Sequence, residues 1–275
     1  MPPVGMSGAF WDDADPERFY AAPMRCEPLL DQLMANAWRP LIEEQHEGWR
    51  YRWSDGLTRR ANSALAVGRT GTVDDLVARA EDYYGLRGAP TLIQVSTASA
   101  PRGLPAYLQS RGYRSTARTF VQAAAIADVV ERTESRFDIE IAATPSDEWF
   151  GTYWSVEATR GRTDTDMTLY RHVLLAPELP TVFAAARRDG KVVGVVQLVV
   201  DRGWAGVQCM ATAPSDRRQG VADSVLNGLA IEAAERGIGR MYLAVMATND
   251  AGTALYASAG FRATHDYCYF ADQVN

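Results

Sequence analysis

The stretch "APSDRRQGVADSVLNGLAIEAAERG" (213–237) sets a proline, two arginines and a lone glycine just ahead of a helical run. The strand-like "AGVQCMAT" (205–212) leads into it. A helix start leaves backbone N–H groups without intrahelical partners, and the aligned peptide dipoles add partial positive charge there. Gly220 lets the backbone come close to a ligand, small Ala222 removes bulk, and Arg217 and Arg218 add charge. The strand, polar corner and helix together describe an anion cradle, with a solvated helix start as the plainer alternative.

Outward from this corner, strands and helices alternate in both directions. "IEIAAT" (139–144) is a strand, "SDEWFGTYWSVEATR" (146–160) a helix capped by Ser146, and "DTDMTLYRHVLLA" (164–176) a second helix. "TVFAAARRDGKVVGVVQLVV" (181–200) is a hairpin turning at Asp189-Gly190, a pair that tolerates positive φ. After the corner helix come strand "MYLAVM" (241–246), helix "AGTALYASAG" (251–260) and a last strand around "DYCYFA" (266–271).

The first half has a similar order. A helical pattern spans 27–44, followed by strands at 49–55 and 63–68 and a helix over 72–88 with Thr72 as cap. Strand "TLIQVST" (91–97), helix "LPAYLQSRG" (104–112) and strand "TARTFVQAAAI" (116–126) complete it, and the charged run 128–138 joins the halves. Aligning "YLQSRGY" with "LYASAGF" sets Gly112 on Gly260 and Leu108 on Tyr256. The first copy has no counterpart of the 214–222 corner. The expected organisation is a lead-in over 1–24, a degenerate domain without a cofactor site over 25–130, and a catalytic domain over 138–275.

A net charge of −6 argues against nucleic acid as partner, since phosphate binding needs a basic surface. The three cysteines and three histidines are scattered, which argues against a metal site or disulfide frame. The longest apolar run, "VVGVVQLVV" (192–200), is about half a membrane span, and the first residues lack a signal pattern. The expectation is a soluble cytoplasmic protein, monomeric or homodimeric.

Arg217-Arg218-Gln219-Gly220-Val221-Ala222 resembles the Arg/Gln-x-x-Gly-x-Gly/Ala motif of the GNAT acyl-CoA-dependent N-acetyltransferases. "NDAGTALYASAGF" (249–261) resembles that family's second signature, one helix and one strand further on. The resemblance covers about 139–270, and the first half is similar to a degenerate copy, as in tandem GNAT proteins. It implies an α/β (α+β) fold: two GNAT-like domains in tandem, each a mixed, mostly antiparallel twisted sheet flanked by helices. It also implies acetyl-CoA as cosubstrate and an amine as acceptor. By position, Met210, Ala211 and Thr212 would lie along the thioester arm. The N–H groups of Arg218, Gln219, Gly220, Val221 and Ala222 would hold pyrophosphate, with the charge of Arg217 beside them, and Asn249 would reach the pantetheine. Ala222 stands where Gly is commoner, and Thr212 where a branched apolar residue is usual.

Tyr256 matches the family's tyrosine that protonates the departing thiolate, a role for an acid beside the expelled sulfur. The resemblance does not fix a base. Glu157 is the first candidate, followed by Asp164 and Asp166, each weighed against an ordinary solvated carboxylate. Trp149, Tyr153 and Trp154 either line the acceptor pocket or pack on the sheet. Cys209 sits beside the expected thioester but lacks a His or Asp companion to activate it, which favours a core position. The leading activity is acetyl transfer to a primary amine of a small molecule or natural product. Peptide N-terminal or lysine acetylation and a non-catalytic acyl-CoA sensor are the alternatives.

Overall fold

Strand–helix–strand units whose strands run parallel occur twice along the chain, and they organise everything around them. In the first, β3 (Ala64–Ala66) is followed by α2 (Val73–Gly85) and β4 (Leu92–Ser96). In the second, β9 (Trp204–Thr212) is followed by α7 (Val221–Glu235) and β10 (Arg240–Met246). A computed structural model describes residues 27–68 and 71–272. The expected lead-in over 1–24 therefore lies outside the described residues.

Each unit is flanked by antiparallel strands: β1 (Ile42–His46) and β2 (Trp49–Trp53) before the first, and β6 (Asp138–Ala142), β7 (Thr181–Arg188) and β8 (Lys191–Asp201) before the second. Each is followed by a short helix and a long strand. These are α3 (Leu104–Ser110) with β5 (Arg114–Ala125), and α8 (Asp250–Ser258) with β11 (Arg262–Ala271). Among the described residues, eleven strands form one sheet in the order β1-β2-β3-β4-β11-β5-β10-β9-β8-β7-β6. The two final strands are exchanged: β11 pairs with β4, β5 pairs with β10, and the two pair with each other. Neither half completes its own sheet without the other.

Alternating residues divide the sheet's faces. On β11, Cys268 and Phe270 pack with Leu76, Val77 and Tyr84 of α2 and Leu104 and Leu108 of α3. Tyr267 and Tyr269 turn the other way, onto Leu30, Leu33 and Met34 of α1 (Glu27–Ala37). The face that carries α7 also holds Ile126 and Val129 of α4 (Ile126–Arg132). The opposite face of the second half carries α5 (Asp147–Glu157) and α6 (Asp164–Leu175). Buried Asp31 anchors α1: Ser96 Oγ donates to its Oδ2 at 2.6 Å, and His265 Nε2 lies 3.0 Å from its Oδ1.

Local chemistry accounts for the element ends. Thr72 and Ser146 accept from the N–H groups of Asp75 and Trp149, capping α2 and α5 as their sequences suggest. Asp189 and Gly190 both take positive φ, at 50° and 76°, in the tight turn between β7 and β8. Two expectations are corrected. The helix over 27–44 stops at Ala37, because Pro40 cannot continue it, and Ile42–His46 is an edge strand instead. The charged run 128–138 is not all linker, since its first part belongs to α4, where Val129 is fully buried against α7.

Candidate active site

The parallel pairing of β9 with β10 covers only Trp204–Gly206 against Arg240–Tyr242. Beyond it the strands diverge, each still held on its outer side. β9 pairs with β8 up to Thr212, and β10 with β5 up to Met246. Gly206 sits at the fork, where a Cβ would come within 2.4 Å of the Tyr242 hydroxyl. A bulge in β9 between Gln208 and Ala211, with Cys209 at φ 52°, enlarges the twist as the strand leaves the fork. Ala213 N–H donates to Val193 O of β8 at 2.9 Å, and N–H groups alternate sides along a strand. Thr212 and Met210 therefore offer backbone groups to the open fork. Ala211 is turned to β8, with its side chain in the core under α5.

The first unit has the same fork, but it is closed. Beyond Leu65, Ala66 O accepts from Ala100 N–H at 3.2 Å, and Ala100 O accepts from Trp49 Nε1 at 2.8 Å. The chain's own segment thus occupies the edge that stays open in the second unit. The two helix starts differ as well. α2 begins with a side-chain cap and two acids, Asp74 and Asp75, which disfavour an anion.

α7 begins at Gly220, with φ 81° and no side-chain cap. Among the described residues, the N–H groups from Arg218 to Asp223 donate to no backbone or side-chain acceptor; the first to do so is that of Ser224, to Gly220 O at 3.0 Å. Arg218 itself has φ 61° and Gly220 φ 81°, so the backbone turns sharply through the corner. Arg217, Arg218 and Gln219 are exposed there. Arg188 braces the corner from β7, pairing with Asp216 and hydrogen-bonding Gln219. The donor set fits a pyrophosphate: free backbone donors at a dipole's positive end, with two exposed guanidiniums beside them.

Tyr256, on α8, reaches the same fork from the α7 face. Its hydroxyl donates toward Met210 Sδ at 3.5 Å, and its ring meets Phe261 edge-on at 5.9 Å. Burial pushes its phenol up to about 12, so it keeps its proton at any physiological pH. At the position aligned with it, Leu108 is fully buried in the first half's core. Asn249 caps α8, its Oδ1 accepting from Gly252 N–H at 3.0 Å.

On the opposite face, Glu157 ends α5, buried, with its Oε2 accepting from Tyr170 Oη at 2.9 Å. Asp166 is committed elsewhere. It closes the capping box of α6 with Thr163, whose backbone N–H holds the carboxyl below its ordinary range. Asp164 is exposed on the same turn. Trp149 and Tyr153 are buried in the core beneath α5, and Trp154 packs against it. Burial pushes the Cys209 thiol up to about 12, and it donates weakly to Gln197 Oε1 at 3.6 Å, so it carries no thiolate.

First-half residues complete this face. Trp38, Leu57 and Ala61 join the cluster formed by α5 and α6. Arg60 donates from Nη1 to Gln208 Oε1 at 3.1 Å, and Arg162 hydrogen-bonds Leu57 O. The polar loop "GLTRRANS" (56–63) carries no local sign of this role, because the contact spans 148 positions of sequence.

Residues 29–270 match the family described as "Probable histone acetyltransferase Rv0428c C-terminal". The chain belongs to this family. The chain is 27% identical over 243 residues to the "Uncharacterized N-acetyltransferase YobR" of Bacillus subtilis, covering 87% of this chain and 96% of that one. In fold it resembles a GCN5-related N-acetyltransferase from Kribbella flavida, with a TM-score of 0.64 at 16% identity, over 93% and 98% of the two chains. It also resembles the tandem GNAT protein from the clavulanic acid biosynthesis pathway, solved without acetyl-CoA. That match has a TM-score of 0.63 at 13% identity, over 94% and 92%. The protein is thus an acyltransferase of GNAT type, its mixed and mostly antiparallel sheet flanked by helices. No helix among the described residues is long and apolar enough to cross a membrane.

Proposed function

We propose that the protein transfers the acetyl group of acetyl-CoA directly to a primary amine of a small molecule or natural product. The observation that carries this reading is the open fork between β9 and β10, with six unpartnered N–H groups at one end and the Tyr256 hydroxyl beside Met210 at the other. Acetyl-CoA would supply an activated acetyl thioester there. The N–H groups from Arg218 to Ala222, flanked by Arg217, hold its pyrophosphate. The free backbone edges at Met210 and Thr212 hold its arm as a short pseudo-strand, and Asn249 reaches the pantetheine through the amide nitrogen that its capping bond leaves free.

Tyr256 then donates its proton to the departing sulfur. Because burial keeps that phenol protonated to about pH 12, no earlier step has to load it. The acceptor enters from the α5 face, where Glu157 takes the ammonium proton before attack. Residues 25–130 act as the half without a cofactor site, closing the acceptor face through Trp38, Leu57 and Arg60.

The test is release of CoA thiol from acetyl-CoA across a panel of amino acids, amino sugars, polyamines and peptides. Rapid release with small amines supports transfer. Tight acetyl-CoA binding without release in the presence of any acceptor would instead make the protein a sensor.

A further inference from the structure

Arg60 holds a position that acetyl transfer itself does not require. It comes from a 3₁₀ turn, Arg59–Ala61, pinned to the fold from both ends. Thr58 Oγ1 accepts from Ala61 N–H at 3.3 Å and from Trp38 Nε1 at 3.1 Å. The Arg60 guanidinium lies 4.5 Å from the centre of the Trp38 ring and donates to the neutral amide of Gln208. Among the described residues it forms no ion pair. The ionisable groups that act on it most strongly are the phenols of Tyr267, Tyr269 and Tyr153 and the thiol of Cys209, and it acts in turn on the phenols of Tyr170 and Tyr242. Burial holds Cys209, Tyr153 and Tyr269 well above their ordinary values, so these stay neutral. A guanidinium keeps its charge at any working pH, and among the described residues this half-buried one has no carboxylate in direct contact; the Glu157 carboxylate lies across the aromatic wall, where Tyr153 and Tyr170 feel both charges.

The place of Arg60 in the fold says where a carboxylate in contact with it would sit. Gln208 immediately precedes the bulge residue Cys209, and Cys209 packs on the α5 side. Tyr256 approaches Met210, one residue further on, from the α7 side. Arg60 therefore reaches the α5 side of the fork at Gln208, two residues before the Met210 that Tyr256 approaches from the other face. Arg162 adds a second cation over the same aromatic wall, its Cζ 5.6 Å from the Tyr170 ring centre. The buried Glu157 carboxylate, bonded by Tyr170, faces the wall from α5 and suits an ammonium.

We propose that Arg60 binds a carboxylate of the acceptor, so that the amine acetylated is the α-amino group of a small amino acid. A fork-shaped guanidinium matches a carboxylate with two parallel hydrogen bonds, and burial strengthens both. The inference rests on the acetyl-transfer reading above and names its substrate class. A polyamine lacks the anion, and a peptide N-terminus carries none beside its amine.

The experiment compares the standard α-amino acids with their α-carboxamides as acceptors for the full chain, with acetyl-CoA affinity measured by calorimetry on the same samples. The free acids are expected to exceed the amides in kcat/KM by at least about tenfold, the usual scale for losing a buried charge-assisted pair. In Arg60→Gln that ratio falls to within about threefold of unity, while Arg60→Lys, which keeps the charge without the fork, retains part of it. Acetyl-CoA affinity within about twofold of the parent shows that both variants are folded. Direct titration of the best acid into the CoA complex gives a second readout, expected to vanish in Arg60→Gln. A parent ratio near unity, a ratio unchanged in Arg60→Gln, or no amino acid raising CoA release above hydrolysis each overturns the inference. If acetyl-CoA binds and only polyamines or peptides are acetylated, this inference falls and acetyl transfer stands. If acetyl-CoA does not bind, acetyl transfer itself falls.

Discussion

Replacing Tyr256 by Phe removes one oxygen and leaves the ring. The ring's edge-on contact with Phe261, at 5.9 Å, survives the change. The hydroxyl's partner is a thioether sulfur at 3.5 Å, a weak acceptor, so the folded state should lose no more than about 1 kcal/mol. Chemistry should lose far more. With the phenol pushed up to about 12, four units above an assay at pH 8, roughly one molecule in 10⁴ lacks the proton. The site is loaded with an acid that Phe cannot replace. General acid catalysis is worth about 10² to 10⁴ in rate, or roughly 2.7 to 5.4 kcal/mol at 1.36 kcal/mol per decade. The assay is steady-state release of CoA thiol, paired with calorimetric acetyl-CoA affinity and a thermal melt. The expected result is a kcat lowered at least about 100-fold, with affinity nearly unchanged. The acidic form is the active one, so the parent enzyme should also show no alkaline limb from this group below about pH 12. A variant kcat within about threefold of the parent would take Tyr256 out of the mechanism.

Other expectations follow from the corner and from the exchanged strands. Gly220→Val places a β-branched residue at φ 81°, where left-handed backbone costs about 1 to 2 kcal/mol. It should weaken acetyl-CoA at least about tenfold by calorimetry; unchanged affinity would mean that the corner does not hold the pyrophosphate. Because β11 lies between β4 and β5, and β5 between β11 and β10, neither half should melt alone. Scanning calorimetry should show one cooperative transition, and two resolved transitions would contradict that coupling.

Much of this molecule was legible along the chain, wherever the cause of a feature is local. Thr72, Ser146 and the Asp189-Gly190 turn act within a few residues of themselves and are found where their chemistry implies. The 217–222 corner is equally local, since a helix start and a glycine suffice to define it. What escaped has distant causes. Ile42–His46 is an exposed edge strand that becomes one by pairing with Trp49–Trp53, and its one apolar residue, Ile42, continues the helical spacing of α1. The exchange of β5 and β11 is a choice between two equivalent partners, and nothing within either strand records it. Arg60 reaches the second half through a fold contact 148 positions away. Glu157 was accessible to sequence reasoning as a candidate, but its burial and its bond to Tyr170 depend on how α5 packs against α6.

The closed fork at Ala66 and the open one at Gly206 make the central claim a matter of counting. Titration of acetyl-CoA into the full chain by calorimetry tests it most directly. The account predicts one site per chain; two equivalent sites, or no binding at all, would contradict it.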